Sequence, residues 1–316
     1  MVRVLLALLL CAAPHVAMSQ PYPSKPIHII VAFAPGGPVD VVARLAQQKL
    51  TDILGQPVVV ENRPSTTGNL GTQVVAKSAP DGYTILANSS AFAVNVSLSA
   101  NAGYTPEDFM PIVQFATQPN LIVVNSDFPA KTLGELLEMA KTKKLAYASP
   151  GTGTTPHLTA ENLFRAIAKV DVTHVPHKGA GPAATAVVAG EPPIGSLAVT
   201  APIGFIHSGR IRALAISSAA RSPQLPDVPT FVELGYPQIQ DYTWVGFFAP
   251  AGTPPEIVQK LNDALNRALR MPDVRDKLEQ LLFEPIGGTQ QQFSEYLRAE
   301  VAKWGAVVKQ TGAKVD

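Results

Sequence analysis

Short apolar runs alternate with helical patterns along almost the whole chain. The runs are four to seven residues long and rich in β-branched side chains, which is typical of buried strands. Strands that alternate with helices in this way predict an α/β fold with mainly parallel strands. The predicted strands are residues 27–33, 57–61, 83–88, 112–116, 121–125, 145–148, 172–175, 211–217 and 244–248.

Proline and capping residues mark where several of the predicted helices begin. The helix that begins at Pro38 carries its apolar residues on one face. Thr132 with Glu135 three residues later predicts a capping box at the start of another helix. Two further amphipathic helices are predicted over residues 254–270 and 289–310, near the C-terminus.

Two of the predicted strands end in glycine-rich loops that lead directly into a helix. The first loop is residues 35–40 (PGGPVD), and the second is residues 149–156 (SPGTGTTP). A helix N-terminus offers unpaired N–H groups and the positive end of the helix dipole, and together these bind anions. We therefore predict two half-sites that close on one small acidic molecule. An ordinary structural turn is the alternative interpretation of each loop.

Neither loop has the features of a nucleotide site. The first lacks the Gly-x-Gly-x-x-Gly fingerprint of dinucleotide binding, and the second lacks the Gly-Lys-Ser/Thr ending of a phosphate loop. Without that lysine, triphosphate binding and phosphoryl transfer are not expected. His174 and His177 are separated by Pro176 and have no compact cluster of further ligands near them in the sequence. We predict no metal site and no cofactor.

The N-terminal residues are organised like a secretory signal. Arg3 precedes an apolar stretch over residues 4–13, and residues 17–19 (AMS) fit a cleavage site between small residues. The stretch is too short to cross a bilayer, so we predict a cleaved signal peptide over residues 1–19. Cleavage would remove Cys11, the one cysteine of the sequence. An exported chain without disulfides is typical of the bacterial periplasm.

The charge of the predicted mature chain argues against several partners. The sequence has 25 Lys and Arg against 24 Asp and Glu, and loss of Arg3 makes the two counts equal. A chain without basic excess is not expected to bind nucleic acid. No later apolar run reaches the length of a membrane span. We expect the mature chain to be soluble and monomeric.

No catalytic signature accompanies the two loops. The sequence has no Gly-x-Ser-x-Gly elbow and no Ser/His/Asp set whose spacing stands out. We therefore predict a binding protein rather than an enzyme. The alternative is an exported α/β hydrolase or transferase that acts on a small carboxylated substrate in the same cleft, and a module for metal or phosphate is a third reading.

Several stretches of the sequence resemble the tripartite tricarboxylate transporter receptor family, the Bug or TctC-type periplasmic solute-binding proteins. They are YPSKPIHIIVAFAPGGPVD, VVVENRPSTTGNLGTQVVAKSAPDGYTIL, LAYASPGTGTTPHLTAENLF, DVTHVPHKGAGPA, SGRIRALAISSAARSPQLPDVPTFVELGYP and WVGFFAPAGTPPEIVQKLN. The resemblance implies a two-lobed, type II Venus-flytrap fold, in which each lobe is a mostly parallel sheet flanked by helices. It places lobe 1 over residues 20–122 together with 243–316, and lobe 2 over residues 123–242.

The resemblance also implies what the chain binds. Members of the family capture small organic carboxylates for membrane permease subunits or for sensing, and they hold them mainly with main-chain amides, hydroxyls and ordered water. Carried over onto the matching positions of this chain, the expected ligand-binding residues are Ala34, Pro35, Gly36, Gly37, Asp40, Ser89, Ser90, Ser149, Gly151, Gly153, Thr154, Thr155 and His157.

The chain departs from the family pattern in the first loop and in residues 192–201. Pro38 stands where Ser or Thr is usual, which removes a hydroxyl and an N–H group from the loop. In the second segment, Leu197 and Ala198 occupy positions where acidic or amide side chains often occur. We expect this more apolar wall to favour a carboxylate with a less polar body, and we expect Thr200 to contribute a hydroxyl to the site.

Overall fold

The computed structural model describes residues 21–99 and 102–311. The predicted signal peptide lies outside these residues. The strands form one continuous sheet, and a single long strand joins its two halves. The strands are β1 (Ile27–Val31), β2 (Val58–Asn62), β3 (Thr84–Ser89), β4 (Phe109–Asn125), β5 (Leu145–Ser149), β6 (Val172–Pro176), β7 (Ile194–Ala198), β8 (Ile211–Ile216), β9 (Tyr242–Pro250) and β10 (Glu284–Pro285).

Helices follow most of the strands and cover both faces of the sheet. They are α1 (Pro38–Leu54), α2 (Asn69–Ala76), α3 (Ala91–Leu98), α4 (Leu133–Ala140), α5 (Thr155–Glu161), α6 (Ala180–Ala189), α7 (Ile203–His207), α8 (Pro255–Leu269), α9 (Pro272–Gln280) and α10 (Gln290–Thr311). A π-helical segment, Asn162–Ile167, continues α5. At the start of α4, the N–H of Glu135 donates to Thr132 Oγ1 (3.1 Å), as the capping box predicts. The Glu135 carboxylate accepts from Lys131 N–H instead of the Thr132 N–H.

Each half of the sheet combines three parallel strands with antiparallel strands. In the first half, β1 lies parallel to β2 and β3, and β9 runs antiparallel to β3. In the second half, β5 lies parallel to β6 and β7, while β8 and β7 both pair antiparallel with β4. The two glycine-rich loops follow β1 and β5 and lie where the halves meet, since Gly37 approaches Ala180 and Thr155 bonds to Ser90 across the boundary.

Strand β4 is longer than the hydrophobic pattern predicts. Residues 112–116 and 121–125 are predicted as two strands, but they belong to one strand over Phe109–Asn125. The polar residues that separate the two apolar runs, Gln118 and Asn120, are fully buried, and their side-chain oxygens accept hydrogen bonds. Hydrogen bonds from residues distant in the sequence therefore allow polar side chains in the middle of a buried strand.

Strand β7 is missing from the predicted set because its sequence, IGSLA, lacks a clear apolar period. Gly195 and Ser196 interrupt the run, although all five residues are buried. Ser196 satisfies its hydroxyl by donating to the carbonyl oxygen of Pro156 (2.6 Å). The neighbouring strands β4 and β5 supply the backbone hydrogen bonds that make this segment a strand.

Buried hydrophobic side chains form separate cores in the two halves. The first core surrounds β1, β3 and β9 and includes Phe92 stacked on Phe248 with ring centroids 4.6 Å apart. The second half has apolar side chains on both faces of its sheet, with Tyr147 on one face and Leu197 on the other. We call the half with β1–β3 the first lobe and the half with β5–β8 the second lobe.

Within residues 21–99 and 102–311, no helix is long and apolar enough to span a membrane.

Candidate functional site

A narrow cleft lies between the two lobes, where the loops after β1, β3 and β5 meet. In this structure the space inside the cleft holds little more than a water molecule. The cleft is lined by Phe33, Ala34, Gly37, Pro38, Val39, Asp40, Ser89, Pro150, Thr154, Thr155, Pro156, Ala180, Ala198 and Thr243.

The first-lobe wall is built by the loop between β1 and α1. Gly36 has a φ of +84°, a conformation that glycine adopts without strain, and it turns the chain toward the start of α1. Pro38 occupies the first turn of the helix, and no side chain of the described residues caps this end. The N–H groups of Val39 and Asp40 belong to the first turn and have no acceptor within the helix. They are therefore available to an anion in the cleft.

Asp40 shapes this loop from within the first lobe. Its carboxylate accepts hydrogen bonds from Gly36 N–H (3.1 Å), Asn62 Nδ2 (3.0 Å) and Arg44 Nε (3.0 Å). Burial raises the pKa of Asp40, but the hydrogen bonds from Arg44, Asn62 and Gly36 outweigh it and hold the pKa below its usual value. The carboxylate is therefore ionised at neutral pH and already paired.

The second-lobe wall is built by the loop between β5 and α5. Ser149 Oγ accepts from Gly151 N–H (3.1 Å), and Thr154 Oγ1 donates to the carbonyl oxygen of Gly151 (2.8 Å). Thr154 also caps α5 by accepting from the N–H of His157 (3.4 Å). Gly151 and Gly153 have φ values of +147° and +79°, which disfavour any residue with a side chain. The hydroxyls of this loop mainly hold the loop itself.

Two stacked histidines support the second-lobe loop from behind. The rings of His157 and His174 lie 4.1 Å apart, His157 Nδ1 accepts from Gly153 N–H (3.2 Å), and His174 Nε2 lies 2.7 Å from Ser149 Oγ. Burial and the charges of His174 and Arg165 lower the pKa of His157 to about 3. Burial and the charges of Arg165 and His177 lower the pKa of His174 to about 4. Both rings are therefore neutral at physiological pH.

Because His157 and His174 are buried as neutral rings, we expect the protein to lose stability as the pH falls. The unfolded histidines protonate near pH 6.5 and the folded ones only near pH 3–4, so the unfolded state binds more protons as the pH falls through 6.5. We expect the free energy of unfolding to fall by about 2–4 kcal/mol between pH 7.5 and pH 5, at about 1.4 kcal/mol per unit for each histidine. Urea denaturation at each pH measures it.

A matched pair of variants separates this effect from general acid sensitivity. We expect His157→Gln to flatten the pH profile, while substitution of the exposed His207, in the control His207→Gln, leaves it unchanged. Equal pH profiles for the wild type and His157→Gln would contradict the assignment.

A third helix N-terminus reaches the cleft from the second lobe. Gly179 precedes α6 with a φ of +146°, and no side chain of the described residues caps the helix. The N–H of Ala34 donates to the carbonyl oxygen of Lys178 (2.8 Å), which joins the lobes directly. A methyl group at Gly37 would lie 3.3 Å from Ala180 Cβ, so the starts of α1 and α6 are in contact. The positive ends of two helix dipoles therefore meet at one place.

A chain of hydroxyl groups crosses the cleft floor. Ser90 Oγ lies 3.0 Å from Thr155 Oγ1, which in turn lies 2.6 Å from Thr243 Oγ1. Thr243 donates to Asn120 Oδ1 (2.8 Å), so the hydrogens of the chain run from Ser90 toward Asn120. This row of hydroxyl groups connects the first lobe and the second lobe with strands β4 and β9.

Thr200 is bonded to Gln118 of strand β4. Its Oγ1 donates to Gln118 Oε1 (2.5 Å), and its N–H donates to the same oxygen (2.9 Å). In this structure its hydroxyl hydrogen is therefore used within the protein. From residues 192–201, Ala198 lines the cleft.

The cleft brings together six of the predicted site residues. Those that line it are Ala34, Gly37, Asp40, Ser89, Thr154 and Thr155. The others lie behind the lining, where they hold the loops or bond to strand β4; they are Pro35, Gly36, Ser90, Ser149, Gly151, Gly153, His157 and Thr200.

Sequence reasoning missed three lining residues outside the glycine-rich loops, Phe33, Ala180 and Thr243. Ala180 follows the Lys178–Gly179 turn, and this third strand-to-helix junction is the signal that could have identified it. Thr243 belongs to strand β9, and no local pattern connects it with the loops. Among residues 21–99 and 102–311, no cluster of three or more His, Asp or Glu could hold a metal ion.

The chain is similar to known proteins over most of its length. The family described as "Tripartite tricarboxylate transporter family receptor" matches residues 42–313. The structure of the periplasmic binding protein BugD superposes with a TM-score of 0.89 at 33% identity, covering 93% of this chain and 99% of BugD.

Two further solved structures contain carboxylates. Rpa4515 of R. palustris, solved with adipate, has a TM-score of 0.89 at 32% identity and covers 93% of this chain and 100% of its own. MatC (Rpa3494) of Rhodopseudomonas palustris, with bound malate, has a TM-score of 0.86 at 34% identity, and the match covers 91% of this chain and 100% of MatC.

Proposed function

Because this chain belongs to the tripartite tricarboxylate transporter receptor family, we propose that it captures a small organic carboxylate in the cleft between its two lobes. It is a periplasmic solute-binding receptor of the Bug/TctC type and not an enzyme, since the family consists of receptors. The observation that carries the proposal is the meeting of α1 and α6, whose uncapped N-termini face the cleft from opposite lobes.

The strength of such a site follows from its electrostatics. A helix N-terminus contributes about 0.3–1 kcal/mol toward an exposed anion and up to about 2 kcal/mol when partly buried. Each charge-assisted hydrogen bond adds about 1.5–3 kcal/mol. Two helix termini with several such bonds are enough for micromolar affinity, about −8 kcal/mol, after the costs of ordering the ligand.

Closure of the lobes is part of the proposed binding reaction. The contacts of Ala34 with Lys178 and of Ser90 with Thr155 join the lobes around the cleft. They exclude water, and the dipoles act more strongly on a charge in the lower dielectric. We propose residues 20–122 with 243–316 as lobe 1 and residues 123–242 as lobe 2, a division supported by the separate cores and by β4, which passes from one half of the sheet to the other.

The receptor is proposed to deliver its ligand to membrane subunits of a tripartite transporter, in keeping with the name of the family. Relatives solved with adipate and malate support a carboxylate as the cargo. We also propose that residues 1–19 direct export and are then cleaved. N-terminal sequencing of the protein from the periplasmic fraction tests this, and an N-terminus that retains residues 1–19 would contradict it.

A thermal-shift screen tests the function. We expect the purified mature protein to be stabilised by at least one of adipate, succinate, malate and citrate, with a shift that grows with ligand concentration. Saturation at about 100 times the Kd corresponds to about 2.7 kcal/mol of added stability. Adipamide and succinamide serve as uncharged controls of matched shape and are expected to give no shift. Stabilisation by phosphate or a metal ion, with none by any carboxylate, would contradict the proposal.

A further inference from the structure

The polar groups of the cleft are few, and most of them are already engaged. Among the described residues that line it, none is Lys, Arg or His, and Asp40 carries the one formal charge. The Asp40 carboxylate is occupied by Arg44, Asn62 and Gly36. A ligand ammonium group would therefore have to compete with an arginine for its counter-ion, because the cleft lining offers no second carboxylate.

Of the hydroxyl groups that line the cleft, one has a hydrogen that is free to bond to a ligand. Thr154 donates to Gly151, Thr243 donates to Asn120, and Thr155 is placed to donate to Thr243. Ser89 Oγ accepts from the N–H of Ala91 (3.3 Å), and its own hydrogen has no acceptor in the described part of the chain. Ser89 is 5% exposed and lines the cleft, so its hydroxyl is available to a ligand oxygen.

The free donors therefore match acceptor groups such as carboxylate oxygens. They are the Ser89 hydroxyl and the backbone N–H groups at the meeting point of α1 and α6, and all of them donate. The other residues of the wall are largely apolar and include Phe33, Val39 and Ala198.

In the segment that carries Ala198, the neighbouring hydroxyl groups are also bonded within the protein. Ser196 and Thr200 lie two residues before and after Ala198, and their hydroxyls donate to Pro156 and Gln118. The segment therefore presents a methyl group to the cleft while its own hydroxyls face protein acceptors.

We infer that the site selects organic acids whose body is a plain hydrocarbon, and that it rejects the hydroxy and amino derivatives of the same acids. The inference rests on the proposed function and narrows its substrate class. A hydroxyl or ammonium group on the ligand body would be buried against Ala198, Val39 or Phe33 without a partner. A buried polar group without a partner lowers affinity by about 10- to 100-fold.

Matched acids test the inference by isothermal titration calorimetry. The pairs are adipate with 2-aminoadipate, and succinate with malate and aspartate. In each set that binds, we expect the unsubstituted acid to bind at least tenfold more tightly than its derivatives. Tighter or equal binding of malate, aspartate or 2-aminoadipate would overturn the inference and leave the proposed function intact. Absence of binding by every acid would contradict the proposed function itself.

A single methyl-to-hydroxymethyl change tests the role of the wall. We expect Ala198→Ser to lower the preference for succinate over malate, or for adipate over 2-aminoadipate, by at least threefold. The control is Ala146→Ser, at a strand position of the same lobe outside the cleft lining. An unchanged preference in Ala198→Ser, with its melting temperature unchanged, would remove Ala198 from the selective wall.

Discussion

Replacement of Gly181 by alanine is expected to weaken carboxylate binding by about 10- to 100-fold while leaving the fold intact. A methyl group at Gly181 would lie 2.5 Å from the carbonyl oxygen of Pro35 and 3.5 Å from Gly36 Cα, both in the opposite lobe. Relief of such an overlap costs about 1–3 kcal/mol, and the cost falls only on the closed state. Inside its own lobe, Gly181 is the second residue of α6 and precedes Pro182, so an added methyl group also meets the proline ring and costs some helix stability whether the lobes are open or closed.

The chain offers a close control for this variant. Gly134 is the second residue of α4 in the same lobe, and the nearest atom to a methyl group there is Thr132 Oγ1 at 4.0 Å. We expect Gly134→Ala to bind like the wild type, and we expect both variants to unfold cooperatively, with only a modest loss of melting temperature in Gly181→Ala. Wild-type affinity in Gly181→Ala would show that binding does not require this contact between the lobes.

Replacement of Asp40 by alanine is expected to lower the free energy of unfolding by about 2–3 kcal/mol and to weaken binding as well. The change removes the acceptor of Gly36 N–H, Asn62 and Arg44 together, and groups left without partners carry their full cost of desolvation. Because Gly36 leads into α1, the loop that aims the free N–H groups at the cleft would also lose its anchor.

Urea denaturation and calorimetric titration of Asp40→Ala measure the two effects. Asp52, exposed on the same helix, gives the control Asp52→Ala, for which we expect wild-type stability and affinity. Unchanged stability in Asp40→Ala would contradict the structural role of this carboxylate. Tighter binding with lowered stability would mean that its charge repels the ligand more than its hydrogen bonds help.

The sequence predicts much of the fold because its strands and helices are marked locally. The apolar runs and the caps at Pro38 and Thr132 predict the α/β alternation, which is confirmed. The errors at β4 and β7 have a common physical reason. Residues 117–120 in β4 and Gly195–Ser196 in β7 are polar or small, and their strand conformation depends on neighbours that are distant in the chain.

The candidate site also has one part that the sequence predicts and another that it does not. A strand that runs into a glycine-rich loop and a helix is a local pattern, and the two loops predicted from it lie on opposite walls of the cleft. The direction of a side chain at a strand end is decided by long-range hydrogen bonds. Thr200 is held by Gln118, and Thr243 enters the cleft floor through Thr155, pairings that no local pattern in the sequence indicates.

The measurement that tests the central claim most directly is a crystal structure of the mature protein with the acid that stabilises it most. We expect one carboxylate of that acid to lie within hydrogen-bonding distance of the N–H groups at the start of α1 and of Ser89 Oγ, with the two lobes drawn together around it. A ligand bound outside the cleft, or held in it without contact to either helix N-terminus, would contradict the claim.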